Sequence, residues 1–147
     1  MIHRDVKSRN LLLGTDGNFK HADFGLVYEM DPSGIQPTTF CGTNVYQSPE
    51  LFRNADYDFK TDIWSLGCVI YECCTYKTPY VYQSDEYTLR QMILNEAYWR
   101  IPEGRYSREL RGLIEWMLTK EASERPSIGE ILADERMQAK LSLYGGE

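Results

Sequence analysis

Long apolar runs are missing from this sequence. Nothing approaches the roughly 20 residues that a membrane-crossing helix needs, and the opening MIHRDVKS has no apolar segment of the secretory-signal kind. The expectation is a cytoplasmic chain without a membrane partner. Runs of Lys and Arg are missing too: 16 Lys+Arg against 22 Asp+Glu leave a formal net charge of -6. That balance opposes a phosphate-tracking surface, so nucleic acid is not an expected partner. Cysteine is sparse, and Cys41, Cys68, Cys73 and Cys74 show no C-x-x-C spacing, while His3 and His21 are the only histidines. This pattern argues against zinc. Cys68, Cys73 and Cys74 lie in or beside an apolar segment and are expected as small core residues in a reducing compartment, with Cys41 more exposed. No repeat or low-complexity tract is visible. The 147 residues, 42% hydrophobic, suffice for one globular core.

Against those absences the first twenty-five residues are dense in chemistry. His3-Arg4-Asp5 opens HRDVKSRN, with Lys7 and Asn10 following, and Asp23-Phe24-Gly25 comes eighteen positions after Asp5. Between them, Leu11-Leu12-Leu13, a Gly14-Thr15-Asp16-Gly17-Asn18 turn and Phe19-Lys20-His21-Ala22 predict a short β-hairpin, with both polar clusters at the same end. A carboxylate for a hydroxyl nucleophile, a cation for phosphate and oxygen ligands for Mg²⁺ are what metal-assisted phosphoryl transfer requires.

HRDVKSRN followed by DFG resembles the catalytic core of a eukaryotic protein kinase. The resemblance implies that Asp5 is the catalytic base, Lys7 the phosphate-binding lysine, and Asn10 and Asp23 the Mg²⁺ ligands. It places Phe24 behind the metal site and Gly25 where the chain must flip or kink, and it puts adenine of ATP on the Leu12 side of the hairpin. Residues 26–43 then resemble an activation segment, closed by Ser48-Pro49-Glu50 where alanine is more usual than serine. Arg4 is the residue that pairs with a phosphate in that segment, with Thr39, or its neighbour Thr38, as acceptor. Cys41-Gly42-Thr43 resembles the substrate-docking stretch, and Thr43 the threonine that bonds the catalytic Asp and Lys in Ser/Thr kinases. Asn44 departs from the usual proline, and His21 from the apolar residue usual before DFG. The serine of Ser48-Pro49-Glu50 and the Thr39 position are most like the NIMA-related group.

Downstream, Ser48 and Pro49 predict a capped short helix through about Arg53. Residues 61–74, TDIWSLGCVIYECC, are apolar all round and predict a buried helix that ends at Lys77-Thr78-Pro79. By the resemblance its Asp62 holds the backbone of the His3 loop; by helix physics alone Asp62 is a favourable first-turn acid. Ser84 is the expected cap of a helix to about Glu96, with Leu89, Met92 and Ile93 on one face. Ser107 opens another, with Leu110, Leu113, Ile114, Met117 and Leu118 at helical spacing. Ser127 and Glu130 form a capping box for a last helix. In Glu124-Arg125-Pro126, Arg125 resembles the arginine that pairs with the glutamate closing the activation segment, here Glu50.

The expected fold is mainly α, a kinase-like C-terminal lobe with a short β-hairpin carrying the catalytic loops and no N-terminal lobe, spanning residues 1–139 with a frayed tail at 140–147. A Ser/Thr kinase acting on protein with ATP and Mg²⁺ is the implied function. The phosphate-binding glycine loop and strand lysine are not among these residues, so the chain by itself is expected to be inactive. Alternatives are a non-catalytic binding module, or a fragment without independent function. A partner covering the surface that normally meets the N-terminal lobe is also expected.

Overall fold

The computed structural model describes residues 1–29, 44–81 and 85–144. It contains a two-stranded antiparallel hairpin, β1 (Leu11–Leu13) and β2 (Phe19–His21), followed by helices α1 (Pro49–Phe52), α2 (Lys60–Thr75), α3 (Glu86–Asn95), α4 (Arg108–Met117), α5 (Ile128–Ala133) and α6 (Glu135–Tyr144). Leu11 pairs with His21, Leu12 with Lys20 and Leu13 with Phe19. The turn closes because Gly17 takes φ +76°, Gly14 N–H donates to Asn18 O at 2.8 Å, and Asp16 Oδ1 accepts from Asn18 N–H at 3.1 Å. A short 3₁₀ turn, Ser8–Asn10, feeds the first strand.

The second helix runs through the centre. Trp64, Cys68, Val69, Tyr71 and Cys74 are buried, together with Tyr80, Leu89, Ile93, Ile101, Ile114 and Leu118 from later segments. Gly67 sits where this helix meets the fourth, and a Cβ there would lie 2.9 Å from Met117 Cβ. Alanine at that position would force the helices apart. Leu89 and Ile93 are fully buried on one face of α3, each stabilising that docking by about 1.5–3 kcal/mol. A second cluster of Ile63, Leu113, Met117 and Ile131 locks α2, α4 and α5 together.

Several local details differ from the sequence reading. Ser48 has N-cap backbone geometry but makes no side-chain cap; its hydroxyl is buried and shares a 2.6 Å hydrogen bond with Thr61 Oγ1. Burial beside another hydroxyl thus decides its partner. The second helix ends before Pro79 acts, at Tyr76, whose left-handed backbone (φ 61°) lets its N–H donate to Glu72 O at 2.7 Å. The cap of α3 is Asp85, accepting from Thr88 N–H at 2.7 Å; Ser84 lies outside the described residues. Cys73 is exposed, unlike buried Cys68 and Cys74, because it faces away from the core side of its helix. Helix α6 reaches Tyr144, and residues 145–147 of the expected tail lie outside the described residues. The Ser107 cap and the Ser127–Glu130 capping box are both formed.

Candidate functional site

The loop before the hairpin is built around one buried carboxylate. Asp5 is 7% exposed, and Lys7 Nζ donates to it at 2.7 and 2.9 Å. Asn10 Nδ2 donates to Asp5 Oδ2 at 2.9 Å and to Asp5 O at 3.0 Å. Since Nδ2 is committed to Asp5, the amide orientation leaves Asn10 Oδ1 as the acceptor able to meet a cation. Asn10 O accepts from Ala22 N–H at 2.7 Å, which ties the loop to the segment entering Asp23.

The loop backbone is held from below by α2. Asp62 Oδ2 accepts from His3 N–H at 2.7 Å and Oδ1 from Arg4 N–H at 2.9 Å. That pair fixes Arg4 in a left-handed conformation, φ 65°, which a non-glycine residue holds at a cost on the order of 1 kcal/mol or more. Arg4 Nε donates to Leu26 O at 2.8 Å, and its guanidinium lies 5.2 Å from the Tyr28 ring centroid. Among the described residues its two Nη groups have no hydrogen-bond partner. The bridge between Ile2 and Tyr28, with 2.8 Å bonds in both directions, holds the strand leaving DFG beside the chain entering the loop.

Asp23 is exposed and also left-handed, φ 64°, with Oδ1 accepting from Gly25 N–H at 3.1 Å. Its described contact is with Gly25 rather than with Asp5 or Lys7. Its second carboxylate oxygen and Asn10 Oδ1 are hard donors of the kind Mg²⁺ takes, alongside phosphate and water oxygens. Among the described residues there is no cluster of three or more His, Cys, Asp or Glu that could hold a metal ion.

Behind Asp23, the rings of His3 and His21 meet with centroids 3.9 Å apart, and Phe24 lies 5.3 Å from His3 and 5.9 Å from His21. Phe24 is nevertheless 64% exposed, as are Leu12 (57%), Leu13 (66%) and Phe19 (70%) on the hairpin. Burial, and then the neighbouring His3, hold the His21 imidazole below its ordinary pKa of 6.5.

A second polar chain, absent from the sequence reading, links this loop to α2. Ser8 Oγ and Tyr46 Oη share a 3.1 Å hydrogen bond, and Tyr46 Oη donates to Glu72 Oε2 at 2.7 Å. Burial is the main cause that pushes the Tyr46 phenol up to about 12. Single hydroxyls spread through three segments carry no local signal of such a chain.

Farther from the loop, Arg125 and Glu50 form a bidentate pair at 2.7 and 2.9 Å, with the arginine side chain fully buried. Thr38, Thr39 and Thr43 lie outside the described residues, as does Cys41.

Residues 1–137 match the family model described as protein kinase domain. The chain is 40% identical to the serine/threonine-protein kinase Nek2 of Homo sapiens, over 90% of this chain and 29% of that protein. It is 39% identical to Nek5 of Homo sapiens, over 90% of this chain and 18% of that protein, and 34% identical to Nek4 of Mus musculus, over 98% and 18%. The chain thus spans less than a third of the length of these relatives. A catalytic-loop sequence folded around one buried Asp, and a family match over nearly its whole length, have a single explanation: the chain belongs to the protein kinase family, with serine/threonine kinases of the Nek group among its relatives.

Proposed function

We propose that this chain is the C-terminal-lobe portion of a Ser/Thr protein kinase that transfers the γ-phosphoryl of ATP to a protein hydroxyl. The observation that carries the reading is the buried Asp5 carboxylate, steadied by Lys7 and Asn10 and set on a backbone tethered to Asp62. In the proposed reaction Asp5 accepts the proton of the attacking hydroxyl, because its oxygens are held at the end of a loop that cannot swing. Lys7 stands beside it as the cation for the transferred phosphate, while Asn10 and Asp23 would hold Mg²⁺ through their oxygens. When bound, Mg²⁺ neutralises phosphate charge and fixes its orientation. Phosphate on Thr39 or Thr38, paired to the free Nη groups of Arg4, would order the activation segment and raise activity. The cytoplasm is the proposed location.

The exposed apolar side chains around the hairpin, Leu12 on one face, Leu13 and Phe19 on the other and Phe24 beyond its end, support a further part of the reading. Phosphoryl transfer needs a dry, preorganised pocket, and by the kinase resemblance Leu12 belongs to the floor of one. We infer that the hairpin works only when covered, by polypeptide outside residues 1–147 or by a partner, and that a binding-module role would use the same exposed side chains. Asp5→Asn separates the two readings. It should lower Mg²⁺-ATP-dependent phosphorylation of a protein substrate by about 10²–10⁴-fold while leaving any binding unchanged; undiminished transfer would rule out catalysis by this loop.

A further inference from the structure

On the side of the molecule away from the catalytic loop, the end of α2 and the chain entering α4 enclose an open cavity of about 430 Å³. Its wall includes Tyr71, Val81 and Trp99, and its rim Lys77, Arg100 and Arg105, with no Asp or Glu among the lining residues. In a chain of net charge -6, three cations without an acid mark a departure from the average surface. None of the three donates a side-chain hydrogen bond or joins an ion pair among the described residues. The nearest acid in sequence, Glu103, is engaged by Arg111 at 3.2 Å. Arg100 also borders a neighbouring depression that contains Glu103, Glu109 and Glu115, whereas Lys77 and Arg105 line this cavity and not that depression.

Trp99 is the second observation. Its side chain is 87% exposed, yet the segment that carries it is firmly anchored. Tyr71 Oη donates to Trp99 O at 2.7 Å, the Tyr98 ring packs edge-on against Tyr71 at 5.5 Å, and Ile101 is buried. Tyr106 Oη donates to Cys74 O at 3.0 Å, tying the same segment to the helix end. An indole presented to water from a rigid base loses little conformational entropy when something covers it, which is the usual character of a binding hot spot.

From the uncovered Trp99, the apolar cavity beside it and the unpaired cationic rim, we propose that this groove docks an acidic stretch of a partner polypeptide, with an apolar side chain seated against Trp99 and carboxylates meeting Lys77 and Arg105. The site is separate from the phosphoryl-transfer reading and stands or falls independently of it. Three cations with no acid among the lining residues commit the groove to a carboxylate-bearing peptide, and self-association is left to the test.

The test is fluorescence polarisation with the 147-residue chain and a short labelled peptide of Asp and Glu around one Leu. Saturable binding that weakens with salt is expected. The double variant Lys77→Glu/Arg105→Glu should weaken it about tenfold, and Trp99→Ala should do so by about tenfold or more. Circular dichroism should show both variants folded, since all three side chains are exposed. Equal binding of a peptide with Lys in place of Asp and Glu, or unchanged affinity in the two variants, would overturn the proposal. So would the absence of binding, a strict requirement for phosphoserine in the peptide, displacement by RNA into the same groove, or Trp99-dependent self-association in sedimentation without peptide binding.

Discussion

At the Arg125 node every donor has a partner, whereas around His3 and His21 three buried ring nitrogens have none among the described residues. Arg125 directs Nε to Thr119 O, Nη1 to Glu50 Oε1 and Lys60 O, and Nη2 to Glu50 Oε2 and Lys120 O. Five N–H groups meet five acceptors from four separate chain positions, and the guanidinium also lies 5.2 Å from the Trp64 ring centroid. The loop end differs in kind. Arg4 and Asp23 are left-handed, the imidazoles face one another without hydrogen-bond partners among the described residues at His3 Nε2 and either His21 nitrogen, and the hairpin's apolar side chains stand in water. One region is complete as a piece of folded protein; the other is arranged for something to be added. Such a division is expected when strain is concentrated at a site and over-determined by its surroundings, here by Asp62 and the buried helix beneath.

The sharpest way to break this comparison is Arg125→Ala. It leaves Glu50 buried without its cation and takes one donor from each of three carbonyls, so destabilisation of about 3–5 kcal/mol is expected from urea unfolding. A loss below about 1 kcal/mol would show that the node is not the stitch described. Asp62→Ala comes next. Removing the acceptor for two backbone N–H groups should cost about 1–3 kcal/mol and, in the protein as expressed from its own gene, lower phosphoryl transfer more than it lowers thermal stability would suggest. Equal activity at a temperature where both proteins are folded would contradict the tethering role.

The smallest effect is expected at His21. His21→Leu removes two buried ring nitrogens that meet no well-aligned hydrogen-bond partner among the described residues and should stabilise the chain by about 1 kcal/mol. Because the folded pKa lies below the unfolded value of 6.5, the unfolded state takes up the proton first, and His21 makes stability fall as pH drops below about 6.5 toward the folded pKa. Stability of the wild-type chain and of the leucine variant measured across that range should diverge as acid is added. Parallel curves would mean that burial does not depress this imidazole.

The same contrast explains which parts of the molecule were legible beforehand. The hairpin, α2, α4 and the capping box at Ser127 follow from local chemistry: a turn with two glycines, an all-apolar helix, regular spacing of Leu113, Ile114 and Met117, and a serine three residues before a glutamate. The Arg125–Glu50 pair came from motif resemblance, since nothing local joins residues 75 positions apart. What stayed hidden was decided by tertiary packing. Ser84 and Asp85 are both good caps, and Asp85 is the one whose carboxylate reaches Thr88 N–H. Ser48 was read as a cap, but its burial against Thr61 redirects the hydroxyl. The His3–His21 contact and the Ser8–Tyr46–Glu72 chain needed the loop, hairpin and helix to be placed together before either could be seen.

Isolated residues 1–147 should bind Mg²⁺-ATP weakly by calorimetry, because the hairpin floor is open to water; micromolar affinity with Asp5-dependent turnover would contradict the inferred need for a cover. The central claim, that the Asp5 loop is a phosphoryl-transfer site, is tested most directly by phosphate incorporation. Transfer from Mg²⁺-ATP to a protein substrate should be measured for the protein as expressed from its own gene and for its Asp5→Asn variant. The variant keeps the size of the side chain but exchanges one of the two oxygens that accept from Lys7 and Asn10 for a donor and loses the base, and its rate should fall by about 10²–10⁴-fold. Undiminished transfer by Asp5→Asn would contradict the account.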